Sequence, residues 1–236
     1  MFEAPSGKRN HSVAVSQPAT GLSTIFVVGA TNFVGLSTGF PPLSRTTGQA
    51  CDHRSMLIVV SGLPGTGKSA LADRIGQALG AAVLSVDPIE AAMLESGIEQ
   101  SIATGYAAYR VVSTLVEANL ALGQRLIIDA VSGVGEAKTW WPGLAEKAGV
   151  SLATIECICS DNELHRSRLK ERVRALGPFP EPTWDDVERR RQEWVPWTIP
   201  HLVVDAVAPL DVNVAEALAY VAESADNKTP KGTSLP

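Results

Sequence analysis

The chain has 236 residues, 45% hydrophobic and 19% charged, with a formal net charge of −5 and a sequence pI ≈ 5.4. That length suits one domain with a tail, and the composition excludes a chain disordered throughout. Three cysteines cannot carry a disulfide scaffold, so a reducing, cytoplasmic setting is expected, and the acidic balance argues against nucleic acid or an anionic membrane as partner.

Residues 1–55 differ from the rest. They hold Lys8, Arg9, Arg45 and Arg54 against Glu3 and Asp52, a net of +2, which leaves −7 for residues 56–236. No charged side chain occurs in 10–44. The apolar middle of this stretch, 22–40, is broken by Thr, Asn, Gly and Ser, so it does not make a membrane span of about 20 apolar residues. No clear cleavage site marks a signal peptide. The run GATNFVG at 29–35 lacks the G-x-G-x-x-G spacing of a dinucleotide loop. A poorly ordered N-terminal extension is expected, with Met56 as the natural start, and a disordered polar tail over 226–236.

Between them, 56–225 reads as one folded domain. An apolar strand is predicted over 57–61. A helix follows over 69–79, with Leu71, Ile75 and Leu79 on one stripe and Gly80 as its stop. A strand over 82–86 ends next to Asp87, where Asp87-Pro88 suits a helix cap and first turn. A long helix over 106–122 and a strand over 125–128 come next, with Asp129 at the strand's end. Pro142 is expected to start or kink the following helix, which stops near 147–149. A strand over 151–159 leads into a charged helix over 161–176. A Pro-rich break precedes a second charged helix over 184–194. A last strand (202–205) and helix (212–222) close the domain. Strands alternating with helices predict an α/β fold with a parallel five-stranded sheet between two helical layers. Ligands on such sheets lie at the carboxyl ends of the strands, which directs attention to the residues just after each strand.

Gly62, Leu63, Pro64, Gly65, Thr66, Gly67, Lys68 and Ser69 match G-x-x-x-x-G-K-[ST] in full, between a strand and a helix. Glycines let backbone N–H groups wrap phosphate oxygens, and the helix N-terminus adds partial positive charge. Lys68 can reach the β- and γ-phosphates, and the Ser69 hydroxyl can coordinate Mg²⁺. Asp87 can accept the proton of an attacking hydroxyl or cap its helix. Asp129 suits a Mg²⁺–water ligand or a strand-end cap. Arg168 and Arg172, spaced i, i+4, are expected to share a helical face and close over ATP, the alternative being a solvated, salt-bridged helix. Cys157 and Cys159 alternate on a strand and read as core or cleft-edge thiols. Trp197 is the tryptophan best suited to a ligand. The run Arg189–Arg191 is a mixed-charge helix face among Asp185, Asp186, Glu188 and Glu193.

The run from Met56 to about Ala222 resembles the small P-loop kinases of the AAA-type ATP-binding kinase group, relatives of chloramphenicol phosphotransferase, zeta-toxin-like and gluconate kinases. The resemblance rests on SGLPGTGKS (61–69), LSVD (84–87), IIDA (127–130), CSDNELHRSRLKER (159–172) and EWVPW (193–197) before LVVD (202–205). It implies a three-layer P-loop NTPase fold and MgATP-dependent phosphorylation of a small hydroxylated substrate. By it, Lys68, Asp87 and Arg172 are catalytic. The loop residues and Arg168 hold ATP, Ser69 and Asp129 hold Mg²⁺, and 196–201 lies near the adenine. No carboxylate stands at Ile89, and DAVSG replaces DGFPR at Asp129, which argues against shikimate and nucleoside-monophosphate kinases. A polynucleotide or nucleotide-sugar kinase, and an ATP-binding regulator or hydrolase without an acceptor, remain as alternatives.

Overall fold

A computed structural model describes residues 55–226 apart from Val134, Val173, Ala175 and Pro178. The N-terminal extension and the polar tail expected from the sequence lie outside the described residues, except Ser55 and Asp226. All described residues belong to the second of two units into which the chain divides, Gly48–Pro236.

Among the described residues twelve elements follow in chain order: β1 (Met56–Ser61), α1 (Lys68–Leu79), β2 (Ala82–Ser85), α2 (Val86–Glu95), α3 (Ile102–Ala121), β3 (Arg125–Asp129), α4 (Gly135–Ala148), β4 (Ser151–Ile158), α5 (Asn162–Glu171), α6 (Trp184–Gln192), β5 (Leu202–Asp205) and α7 (Leu210–Asp226). The five strands form one sheet in the order β2-β3-β1-β4-β5, every pairing parallel. β1 is central and buried along its whole length.

Because side chains alternate across a strand, β1 feeds two separate cores. Met56, Ile58 and Val60 join Leu71 and Ile75 of α1 and Val214, Ala217 and Val221 of α7 on one face. Leu57 and Val59 join Val112 and Val116 of α3 and Trp141 and Leu144 of α4 on the other. Leu79 packs at the edge of the first core, which completes the stripe predicted for α1, and Gly80 ends that helix in a left-handed turn.

Several predicted boundaries differ. α3 begins at Ile102, four residues earlier than predicted, because Ser101 and Thr104 form a reciprocal capping box. Pro142 does not start the element: it lies inside α4, where the buried Trp141 and Leu144 hold the helix against the sheet. α5 stops at Glu171, short of the predicted Leu176, and Arg172 has extended backbone with ψ 123°. Beyond it, tertiary ion pairs to Asp87 and Glu181 hold the chain out of the helix. Asp87 is not a cap. It stands in the first turn of α2, whose N-cap is Ser85.

At Gly76, α1 packs tightly against β2 and the residue before it. A Cβ there would stand 2.7 Å from the Val83 side chain and 3.1 Å from the Ala81 carbonyl oxygen. Alanine is the better helix former by about 1 kcal/mol, but the clash outweighs it. Gly76→Ala is expected to lower stability by about 1–3 kcal/mol in urea unfolding.

Candidate functional site

All five parallel strands present their carboxyl ends on one edge, and the predicted residues after β1, β2 and β3 meet there. The phosphate loop leaves β1 at Gly62, whose φ is +154°, and a Cβ on it would collide with the Cys157 carbonyl oxygen. No side chain fits, and the loop is pressed against β4. Thr66 is buried, and both its N–H and its hydroxyl donate to the Leu63 carbonyl. The Cys157 thiol donates to the Thr66 carbonyl at 2.9 Å, and burial pushes that thiol up to about 11. Cys157 and Cys159 are free, buried and on the same face, as their alternation predicts.

A second strut comes from α5. His165 is 1% exposed, and its Nε2 lies 2.7 Å from the Pro64 carbonyl oxygen. A carbonyl can only accept, so Nε2 carries the proton. Nδ1 is buried without a hydrogen-bond partner among the described residues. The ring packs edge-on against Trp184 and close to Gly65. The sequence shows His165 only as an isolated histidine in a charged helix.

Lys68 opens α1 and is 4% exposed, and Ser69 follows it, half-buried. The Lys68 Nζ stands 4.0 Å from Asp129 Oδ1. The other carboxylate oxygen of Asp129 accepts from the Ser85 hydroxyl at 3.0 Å, which is why Ser85 makes no side-chain cap for α2. Asp129 Oδ1 is buried and has no hydrogen-bond partner among the described residues. An orphaned carboxylate oxygen suits a hydrated cation. Among the described residues no group of three or more His, Cys, Asp or Glu forms a metal cage.

Asp87 meets an arginine that the sequence did not single out. Arg174 Nη1 lies 2.6 Å from Asp87 Oδ2, while its Nε donates to Glu181 at 2.9 Å and its Nη2 to the Pro180 carbonyl. The guanidinium lies 5.0 Å over Phe179. No local pattern announces this contact, because its partners are 87 and 7 residues away.

Arg168 and Arg172 are not a pair on one helix face. Arg168 donates to the Ala206 carbonyl at 2.8 Å. Arg172 caps α5, and no described group forms an ion pair or hydrogen bond with it. Burial and the neighbouring Arg174 disfavour its charge, while Asp87, Glu181 and Asp129 favour it. A pocket of about 220 Å³ opens beside the loop, lined by Thr66, Gly67, Cys157, Arg168, Ala206 and Asn213. Its outer wall is the segment after β5, not 196–201. Trp197 does not reach it: the indole is buried in the opposite core and donates to the Ser61 hydroxyl at 3.1 Å. Arg189 and Arg191 pair with Asp186 and Glu188 on α6, the mixed-charge face expected there.

A family model described as an AAA domain matches residues 57–194, more than half of the chain. The chain belongs to the AAA domain family. This agrees with the resemblance carried by the motifs. No curated protein matches the chain. Among solved structures, the AAA domain is similar to a gluconokinase from Sinorhizobium meliloti 1021, with TM-score 0.53 and 18% identity over 74% of this chain and 94% of that one. It is similar to the Mycobacterium tuberculosis APS kinase CysC in complex with AMPPNP and APS, with TM-score 0.54 and 22% identity over 72% and 98%. Chaetomium thermophilum Kti12 in complex with ADP-AlF3 gives TM-score 0.57 and 15% identity over 72% and 98%. These likenesses are of fold, and the fold is the three-layer P-loop NTPase of kinase type. No described helix is long and apolar enough to cross a membrane.

Burial pulls the His165 pKa of the AAA domain below its ordinary 6.5. The unfolded chain therefore takes up a proton at His165 before the folded one does, and stability falls as pH drops through about 6.5. His165→Gln is expected to flatten that part of the acid limb in thermal unfolding scanned from about pH 7.5 to about pH 5.

Proposed function

We propose that this AAA domain is a kinase that binds MgATP on Gly62–Ser69 and transfers the γ-phosphoryl group to a hydroxyl of a small molecule. The observation that carries the reading is convergence. Lys68, Asp129, Asp87, Arg172 and Arg174 all gather at the strand edge above one phosphate loop.

The residues divide the work by position. Backbone N–H groups of the loop and the start of α1 receive the phosphates. Lys68 spans the β- and γ-phosphates. The pocket walled by Arg168, Ala206 and Asn213 takes the base side of the nucleotide. Ser69 and the free oxygen of Asp129 fit Mg²⁺, which when bound neutralises phosphate charge. Arg172 makes no ion pair or hydrogen bond among the described residues and can meet the charge on the transferring group. Asp87 orients the acceptor hydroxyl. As the hydroxyl oxygen bonds to the γ-phosphorus, the bond to the β,γ-bridging oxygen breaks and its electron pair leaves on ADP. The hydroxyl proton passes to the Asp87 carboxylate. Arg174 holds one oxygen of that carboxylate and leaves the other for the acceptor. The net charge of −7 over 56–236 disfavours a polynucleotide acceptor. Free thiols at Cys157 and Cys159 are consistent with a cytoplasmic setting.

The likeness to Kti12 supports a second reading, an ATP-binding regulator or hydrolase with no acceptor. ADP release from MgATP across a panel of hydroxylated compounds separates the two. For a kinase, release depends on an acceptor, and Asp87→Asn cuts it by about 10²- to 10⁴-fold while MgATP binding persists. Release that ignores every acceptor and survives Asp87→Asn supports the regulator or hydrolase instead.

A further inference from the structure

Lys138 of α4 is a charged side chain that the proposed chemistry does not use, and it is 4% exposed. Its Nζ lies 4.2 Å from the ring centre of Trp194 and 4.1 Å from that of Trp197. Glu156 of β4 is the charged group facing it, with Oε2 at 3.7 Å, too long for a hydrogen bond. Among the described residues Nζ has no hydrogen-bond partner at all. An ammonium withdrawn from water, with ring faces in place of hydrogen bonds, is costly where a methionine would fill the same space. The charge therefore has to be explained by what it holds.

What it holds is the strap from Trp194 to Trp197, which touches the residue before the phosphate loop and the turn after Asp129. Trp197 donates to the Ser61 hydroxyl, and Ser61 in turn donates to the Ile155 carbonyl at 3.3 Å. Ser61 is the last residue before Gly62. At the other end, Val195 N–H donates to the Gly133 carbonyl at 3.0 Å, and the Trp194 ring lies 3.0 Å from where a Gly133 Cβ would stand. Gly133 follows Ser132, a non-glycine residue at φ +49° just beyond Asp129. The two segments are themselves joined, Gly62 N–H donating to the Val131 carbonyl at 3.4 Å. One buried cation between two indoles thus pins a strap that spans the entrance of the phosphate loop and the turn after Asp129.

We propose that Lys138 is a positioning residue for the phosphate loop, acting through the Trp194–Trp197 strap, and that loss of its proton loosens the strap and weakens nucleotide binding. This rests on the reading that the loop holds ATP. Protonated, the ammonium is attracted to both ring faces and to Glu156. Neutral, it loses those attractions, and Glu156 loses its counter-charge.

The sign of the effect on stability separates positioning from unfolding. Burial lowers the Lys138 pKa from 10.5 to about 8. Between those values the unfolded chain binds the extra proton, so this group makes the fold more stable, not less, as pH rises. A loss of nucleotide affinity through pH 8 without a fall in the unfolding midpoint is then a local event at the strap.

The test is equilibrium binding of fluorescent Mg–mant-ATP to the full chain from about pH 7 to about pH 9, with thermal unfolding and tryptophan fluorescence of the unliganded protein measured alongside. Wild-type affinity is expected to fall about ten-fold along a limb centred near pH 8. Lys138→Arg keeps its charge and holds tight binding across the range. Lys138→Met binds weakly and without pH dependence. Trp197→Phe keeps the ring but not the bond to Ser61, and weakens binding with the pH limb retained. The unliganded tryptophan fluorescence shows the same midpoint in wild type and none in Lys138→Met. A flat wild-type binding profile, a Lys138→Met variant that binds as wild type does, or a flat fluorescence trace overturns the proposal. Failure of the wild type to bind Mg–mant-ATP at any pH, with the fluorescence midpoint intact, overturns the nucleotide reading and the coupling built on it.

Discussion

The parallel pairing of β1 with both β3 and β4 governs everything that happens at the site. It brings the carboxyl ends of the three strands to one edge of the sheet. Val60 lies opposite Asp129, and Ser61 opposite Glu156, in the two registers. A shift by one residue would turn each apolar side chain to the wrong core and carry Asp129 away from Lys68. Met56, Ile58 and Val60 fit one core and Leu57 and Val59 the other, so a slip would misfit side chains in both.

The loop that follows β1 is held from several directions at once. Cys157 reaches the Thr66 carbonyl from β4, His165 reaches the Pro64 carbonyl from α5, and Trp197 reaches Ser61 from the strap before β5. Each contact satisfies a buried polar group that the loop could not satisfy within itself. The result is a backbone whose N–H groups are directed before any ligand arrives, which lowers the ordering cost of binding.

The arginines show how far helix periodicity carries an argument. Spacing of i, i+4 would set Arg168 and Arg172 side by side, provided the helix continued. It ends at Glu171, so the two diverge. Arg168 turns to the Ala206 carbonyl, and Arg172 stays beside Asp87, Glu181 and Asp129. Arg174 then takes the carboxylate of Asp87. A guanidinium paired with two carboxylates gains more than one further turn of a solvated helix would supply.

The amino-acid sequence by itself determined the strand–loop–helix of the phosphate loop, the alternation that makes a parallel sheet, the stripe of α1 and the strand-end position of Asp129. These depend on glycine backbone freedom, on the two side-chain periodicities and on caps, all of which act over a few residues. Only the tertiary structure decided that Ser85 serves Asp129 and not its own helix, that His165 braces the loop, that Arg174 meets Asp87 and that Trp197 is buried against Ser61. Those contacts join residues 44 to 136 positions apart. Such contacts are set by how the two helical layers close on the sheet, and no local pattern of residue types encodes that distance.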